Sequence, residues 1–108
     1  MEDLINKKIL SHEEMVALKP EEIKDYLSQL KEGWSLDGDK IKKLFKFDDF
    51  VKAMEFVNKI AAVAEEAGHH PDITIHYNKV EITLWSHFIS GLSMNDFIVA
   101  AKIDNIIK

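Results

Sequence analysis

The apolar positions switch between helical and extended periods along the chain. Ile23, Tyr26, Leu27 and Leu30 recur at helical spacing and define one face of a helix. Pro20, Glu21 and Glu22 ahead of them suit a first helical turn, where proline loses no hydrogen bond and acidic side chains meet the positive end of the helix dipole. Gly33 is expected to end this helix. Upstream, Ser11 and Glu14 have capping-box spacing and mark a shorter helical turn.

After Gly33 the period shortens to that of a strand. Trp34, Ser35 and Leu36 lead into the turn dipeptide Asp37-Gly38, and Ile41, Phe45 and Phe47 then alternate with other residues, which predicts a hairpin. Lys43 shares the parity of those apolar residues, so it sits either at an open end of the sheet or at a bulge that changes the register. Asp48 or Asp49 is positioned to cap a long helix with Phe50, Ala53, Met54, Val57, Ile60, Ala61 and Ala64 as its apolar stripe. Phe56 and Val63 widen that stripe, as a broad core contact or as a helix–helix subunit interface.

Gly68 suits the end of this helix, and Pro71 pushes His70 into an extended conformation. A second hairpin follows. Ile73, Ile75 and Tyr77 alternate with Thr74 and His76, Asn78-Lys79 turns the chain, and Val80, Ile82 and Leu84 alternate with Glu81, Thr83, Trp85 and His87. Ser93 and Asp96 open a last helix whose buried face is Val99, Ala100, Ile103, Ile106 and Ile107. The expectation is an α+β fold in α-β-β-α-β-β-α order, a four-stranded antiparallel sheet with helices packed on one face.

Composition narrows the setting. A chain of 108 residues, 46% apolar and 31% charged, is expected to form a single domain over 1–108, with 1–19 as an N-terminal extension. Such a domain is too small for a deep cleft of its own, so a site for a bicyclic ligand would be shallow or completed by a partner subunit. No apolar run of membrane-spanning length and no signal-peptide block occur, so the expectation is a cytoplasmic protein that contacts no membrane. The net charge of −5 disfavours nucleic acid, and the basic stretch Lys40, Lys42, Lys43 and Lys46 reads as a solvated strand face. Cysteine is absent, which excludes thiolate catalysis and the usual ligands of structural zinc.

Chemistry is left to histidines, carboxylates, lysines and hydroxyls, and the histidines cluster at His69, His70, His76 and His87. Imidazole titrates at about 6.5 when unperturbed, so it can give or take a proton near neutrality. Strand parity places His87 with Trp85 and Thr83 on the face opposite Val80, Ile82 and Leu84, which suits either a ligand or a subunit contact. His69 and His70 are adjacent in an extended junction, so their side chains should diverge rather than chelate one ion, and the spacing to His76 and His87 repeats no common zinc pattern. The pair is then either a catalytic element or a capped helix end. Glycine-rich phosphate loops and a Gly-x-Ser-x-Gly elbow are missing, against nucleotide hydrolysis and serine esterase chemistry.

Glu65-Glu66-Ala67-Gly68-His69-His70-Pro71-Asp72, then Tyr77-Asn78-Lys79-Val80, Thr83-Leu84-Trp85-Ser86-His87 and Gly91-Leu92-Ser93, resemble in order and separation the signature of the pterin-4a-carbinolamine dehydratases. Gly33-Trp34, Phe45-Lys46-Phe47 and Asp49-Phe50 resemble the upstream half of that family, so the likeness runs over roughly residues 20 to 105. The resemblance implies a homodimer or homotetramer and a lyase that dehydrates 4a-hydroxytetrahydrobiopterin to the quinonoid dihydropterin, in tetrahydrobiopterin recycling. It implies His69, His70 and His87 as catalytic residues, and Glu65, Trp34, Pro71, Asp72, Trp85 and Ser86 as substrate contacts. No metal or other cofactor is implied. The other readings are a protein-interaction or dimerisation-cofactor module, since animal relatives serve a homeodomain factor in that way, and a dehydratase fold acting on another pterin. Asn95 stands where many relatives carry arginine, and Glu66 where lysine is frequent.

Overall fold

The computed structural model describes residues 3–107, so the expected bounds reach beyond it at Met1, Glu2 and Lys108. Helix α1 spans Pro20–Gln29, strands β1 and β2 Ser35–Asp37 and Lys40–Lys46, helix α2 Phe50–Ala67, strands β3 and β4 Asp72–His76 and Lys79–Leu84, and helix α3 Met94–Ile106. The strands form one antiparallel sheet in the order β1-β2-β4-β3. This is the predicted α+β architecture and element order.

The register shows which residues share the covered face. Ile41 lies opposite Leu84, Lys43 opposite Ile82 and Phe45 opposite Val80, while Ile73 and Ile75 of β3 lie opposite Ile82 and Val80. Ile41, Val80, Ile82 and Leu84 are fully buried there against Ala53, Phe56 and Ile60 of α2 and Phe97, Val99, Ala100 and Ile103 of α3. The register runs through Lys43 without interruption, so there is no bulge, and the residue is not at an open end either. Its ammonium turns toward the helices and meets Asp104 Oδ1 at 2.8 Å, with the two side chains 12% and 4% exposed. Asp104 Oδ2 also accepts from the Trp34 indole at 2.9 Å and the Lys31 amide at 3.1 Å. A charge of strand parity is tolerated inside because a carboxylate and its donors surround it.

Several boundaries differ from the expectation. Helix α1 stops at Gln29, well before Gly33, and Leu30 is its C-cap. The β3–β4 turn is Tyr77-Asn78, with Tyr77 at φ 52°, and Lys79 already belongs to β4. Asn78 is held there by its amide, which donates to the Phe47 carbonyl at 3.0 Å. In α2, Phe56 is 3% exposed and forms the centre of the buried stripe, whereas Phe50 is 49% exposed and Ala61 is also exposed. Phe56 stacks obliquely on Phe45 and Phe47, at 4.8 and 5.0 Å between centroids, which turns the helix about its axis relative to the predicted stripe.

Helix α3 is buried nearly all round: Asn95 through Ala100 are inaccessible on every side. A helix can be apolar on all faces only if something covers both of its sides. The second cover is the segment ahead of α1, where Leu4 and Met15 are buried and Ile9 and Leu18 join the core, together with Tyr26 of α1, whose ring lies 5.5 Å from Phe97. Ile107 leaves the helix as its C-cap and is 41% exposed, contrary to its expected place on the buried face. Among the described residues no helix is long and apolar enough to cross a membrane.

Candidate active site

Three local devices bring the histidines together. The first is the end of α2, where Gly68 adopts φ 65° and its amide bonds back to the Ala64 and Glu65 carbonyls. That left-handed C-cap, natural for glycine, reverses the chain and presents His69 and His70 before β3 begins at Asp72. The second is a pinned loop. Ser86 and Gly91 form an isolated antiparallel bridge, with Ser86 N–H donating to the Gly91 carbonyl at 2.8 Å, so residues 87–90 stand out as a loop. His87 is therefore not on the strand, as alternation predicts, but opens a 3-10 turn, His87–Ile89, just past the end of β4. The third is the start of α3, which aims a carboxylate at the junction.

That carboxylate is Asp96, fully buried. Its Oδ1 lies 2.6 Å from His69 Nε2, and its Oδ2 accepts from the Ser93 amide at 2.9 Å and the Ser86 hydroxyl at 2.7 Å. The Ser93 hydroxyl lies 2.7 Å from that of Ser86. With Ser86 donating to Asp96, Ser93 donates to Ser86, and the chain of bonds runs in one direction toward the acceptor, an arrangement that strengthens each member. A carboxylate only accepts, so opposite it His69 Nε2 is the donor, and in the neutral ring that tautomer leaves the lone pair on Nδ1. His70 diverges from His69, as the extended junction predicts, and its Nε2 lies 2.5 Å from Glu65 Oε2 in an exposed pair.

The side chains converge on one cavity of about 380 Å³, lined by His69, His70, His87, Pro71, Asp72, Trp85 and Ser86, with Gly68, His12, Met15 and Phe88. That volume lies within the range typical of small-molecule sites. The Trp85 and His87 rings are 3.9 Å apart, and the Lys40 ammonium stands 4.6 Å above the indole on its way to solvent. The buried indole N–H of Trp85 has no hydrogen-bond partner among the described residues.

Of the residues singled out in the sequence, Glu65 reaches the site through His70 rather than by lining the cavity. Trp34 does not line it either: its indole is committed to Asp104. Sequence reasoning missed Asp96, His12, Met15 and Phe88. The capping spacing of Ser93 and Asp96 was visible, but a cap uses one carboxylate oxygen, and nothing local shows where the second one points.

Comparison with known proteins gives the same direction. The family model described as pterin 4 alpha carbinolamine dehydratase matches residues 16–106. A protein of Trichormus variabilis named "Putative pterin-4-alpha-carbinolamine dehydratase" is 52% identical over 85 residues, 79% of this chain and 90% of its own length. A protein of the same name from Alkaliphilus metalliredigens is 47% identical over 81% of this chain and 79% of its own. Among solved structures, a transcriptional coactivator/pterin dehydratase from Brucella melitensis superposes with a TM-score of 0.81 at 35% identity, over 86% of this chain and all of that one. A pterin dehydratase-like protein identified as a RuBisCO assembly factor in the α-carboxysome gives 0.61 at 28% identity, over 69% and 89%. By its matched length and its agreement with these relatives, the chain belongs to the pterin-4a-carbinolamine dehydratase family.

Proposed function

We propose that this protein is a lyase that dehydrates a 4a-hydroxytetrahydropterin, as in tetrahydrobiopterin recycling. The observation that carries the reading is the convergence of His69, His70 and His87 on one ring-sized cavity, with His69 held from behind by a buried carboxylate.

The reaction breaks the C4a–O bond and forms a C4a–N5 double bond, so one proton goes to the departing hydroxyl and one leaves N5. His69 acts as the base at N5, because Asp96 fixes the tautomer that leaves Nδ1 as acceptor. His87 is the acid at the 4a-oxygen, steadied by the face of Trp85. His70, braced by Glu65, orients the pterin through hydrogen bonds, and Pro71, Asp72, Trp85 and Ser86 complete the surroundings. The protons balance, since the water formed takes up one and the base holds the other until solvent removes it. The active form is a homodimer or homotetramer, which the exposed Leu44, Phe50, Val51 and Ile75 favour.

Stopped-flow absorbance of carbinolamine decay, with the spontaneous reaction as control, tests the assignment. His69→Ala and His87→Ala should each lose at least about 100-fold in rate. Retention of rate within about threefold in both variants sinks it. If the parent itself gives no acceleration, while a pull-down recovers a stoichiometric protein partner, the interaction-module reading replaces this one.

A further inference from the structure

His12 and Phe88 line the same cavity as the three histidines but have no part in the proton transfers. Their rings stack at 4.7 Å with an interplanar angle of 14°. His12 lies ahead of residues 16–106, the stretch that the family model matches.

The segment that carries His12 is fixed at both ends. The amide of fully buried Asn95 brackets Leu10, accepting from its N–H at 2.8 Å and donating to its carbonyl at 2.9 Å. Eight residues on, the Leu18 N–H donates to the Leu92 carbonyl at 2.8 Å. Between them the Ser11–Glu14 turn is closed by the Ser11 amide on Glu14 Oε1 at 2.9 Å, and Met15, 7% exposed, plugs into the protein beneath it. Phe88 stands on the loop pinned by the Ser86–Gly91 bridge and is 65% exposed. Two anchored backbones thus hold a stacked aromatic pair at the rim, with ring surface left over.

We infer that the His12–Phe88 pair is the specificity-determining wall of this site, against which the substituent on C6 of the pterin packs; this rests on the dehydratase reading above. C6 is bonded to N5, so the first atom of a chain on C6 lies two bonds from the nitrogen handled by His69. Phe88 directly follows His87 in sequence, and the stacked pair offers flat carbon surface to the C–H groups of a short flexible chain. Both rings present flat edges and faces to the rim, a surface on which a short alkyl or hydroxyalkyl chain packs.

The test compares kcat and KM of the parent, His12→Ala, Phe88→Ala and His12→Phe on two carbinolamines, one bare at C6 and one carrying a three-carbon hydroxylated chain. In both alanine variants the preference for the substituted substrate, as a ratio of kcat/KM values, should fall about fivefold, the scale of one aromatic contact. The fall should sit in KM for the substituted substrate, and His12→Phe, which keeps a ring on Phe88, should restore the ratio. Thermal unfolding of each variant shows that the fold persists. A ratio unchanged within twofold in both alanine variants overturns the wall while leaving the dehydratase reading intact. Absence of any turnover by the parent overturns both.

Discussion

Asp96→Asn measures how much of the site depends on one buried acceptor. The substitution keeps the shape of the side chain, so the Ser93 amide and the Ser86 hydroxyl still find an oxygen at the Oδ2 position. Each of those bonds changes from charge-assisted to neutral, a loss of about 1 kcal/mol apiece, or about 2 kcal/mol together. For a domain of this length that lowers Tm by about 8 °C. The bond to His69 changes in kind. An amide NH2 now faces Nε2, which must accept, so the hydrogen moves to Nδ1 and the lone pair there disappears. The ring is then held in the tautomer that cannot take a proton at the required atom, and the dehydration rate should fall by about 10²–10⁴-fold, the span between a lost general base and a wrongly held imidazole. Stopped-flow decay gives the rate, circular dichroism gives Tm, and nitrogen chemical shifts of the His69 ring report the tautomer directly. A variant that keeps its rate within about threefold while its tautomer has switched would refute the argument, because position and stability would then be all that Asp96 supplies.

Other substitutions probe the opposite end of the sheet and its turns. Lys43→Met removes the partner of a carboxylate that is 4% exposed, and urea unfolding should show a loss of about 3 kcal/mol. Adding Asp104→Asn to it should recover about 1 kcal/mol by removing the orphaned charge, and a further loss would contradict the buried-pair account. Gly33→Ala should cost about 3 kcal/mol and Gly68→Ala about 1 kcal/mol. The reason is that Gly33 sits at φ 115°, where an added methyl would come within 2.9 Å of Lys43 Cε, whereas Gly68 is at φ 65° with open space around it, so the reverse order in denaturant titrations would count against this account. The backbone and then the side-chain hydrogen bond of Ser11 hold the Glu14 carboxyl below its ordinary value of 4.5, so its contribution to stability is present above that pH and lost as pH falls through the lowered value. Carboxyl NMR titration should find that lowered midpoint, and Ser11→Ala should move it part of the way up.

Much of the fold was legible because it is written in local periods. The alternation of Val80, Ile82 and Leu84 and the spacing of Ala53, Ile60 and Ala64 are statements about one strand and one helix, and both hold. What the periods could not carry was tertiary. Lys43 broke the alternation because its partner, Asp104, lies 61 residues away. Phe56 takes the centre of α2 because Phe45 on β2 and Phe47 just past its end supply the surface it packs against. The histidine pair and Pro71 announced a functional junction through their chemistry, yet the parity argument carried β4 too far and placed His87 on a strand that ends at Leu84. The spacing of Ser93 and Asp96 predicts a helix cap, which Asp96 is, while its second oxygen serves His69 across a distance in sequence that no local rule spans.

Asn95 and Asp96 are consecutive residues, one fastening Leu10 and the other His69. The front and back of the cavity are therefore referred to Cα atoms only about 3.8 Å apart, on the rigid first turn of α3. Thermal drift of that turn carries both sides together, so the gap between them stays nearly constant while the turn itself moves. A ligand thicker than the gap gains little room from movement of the helix; room has to come from the His12 and Met15 side chains or from release of the Leu10 backbone that Asn95 holds.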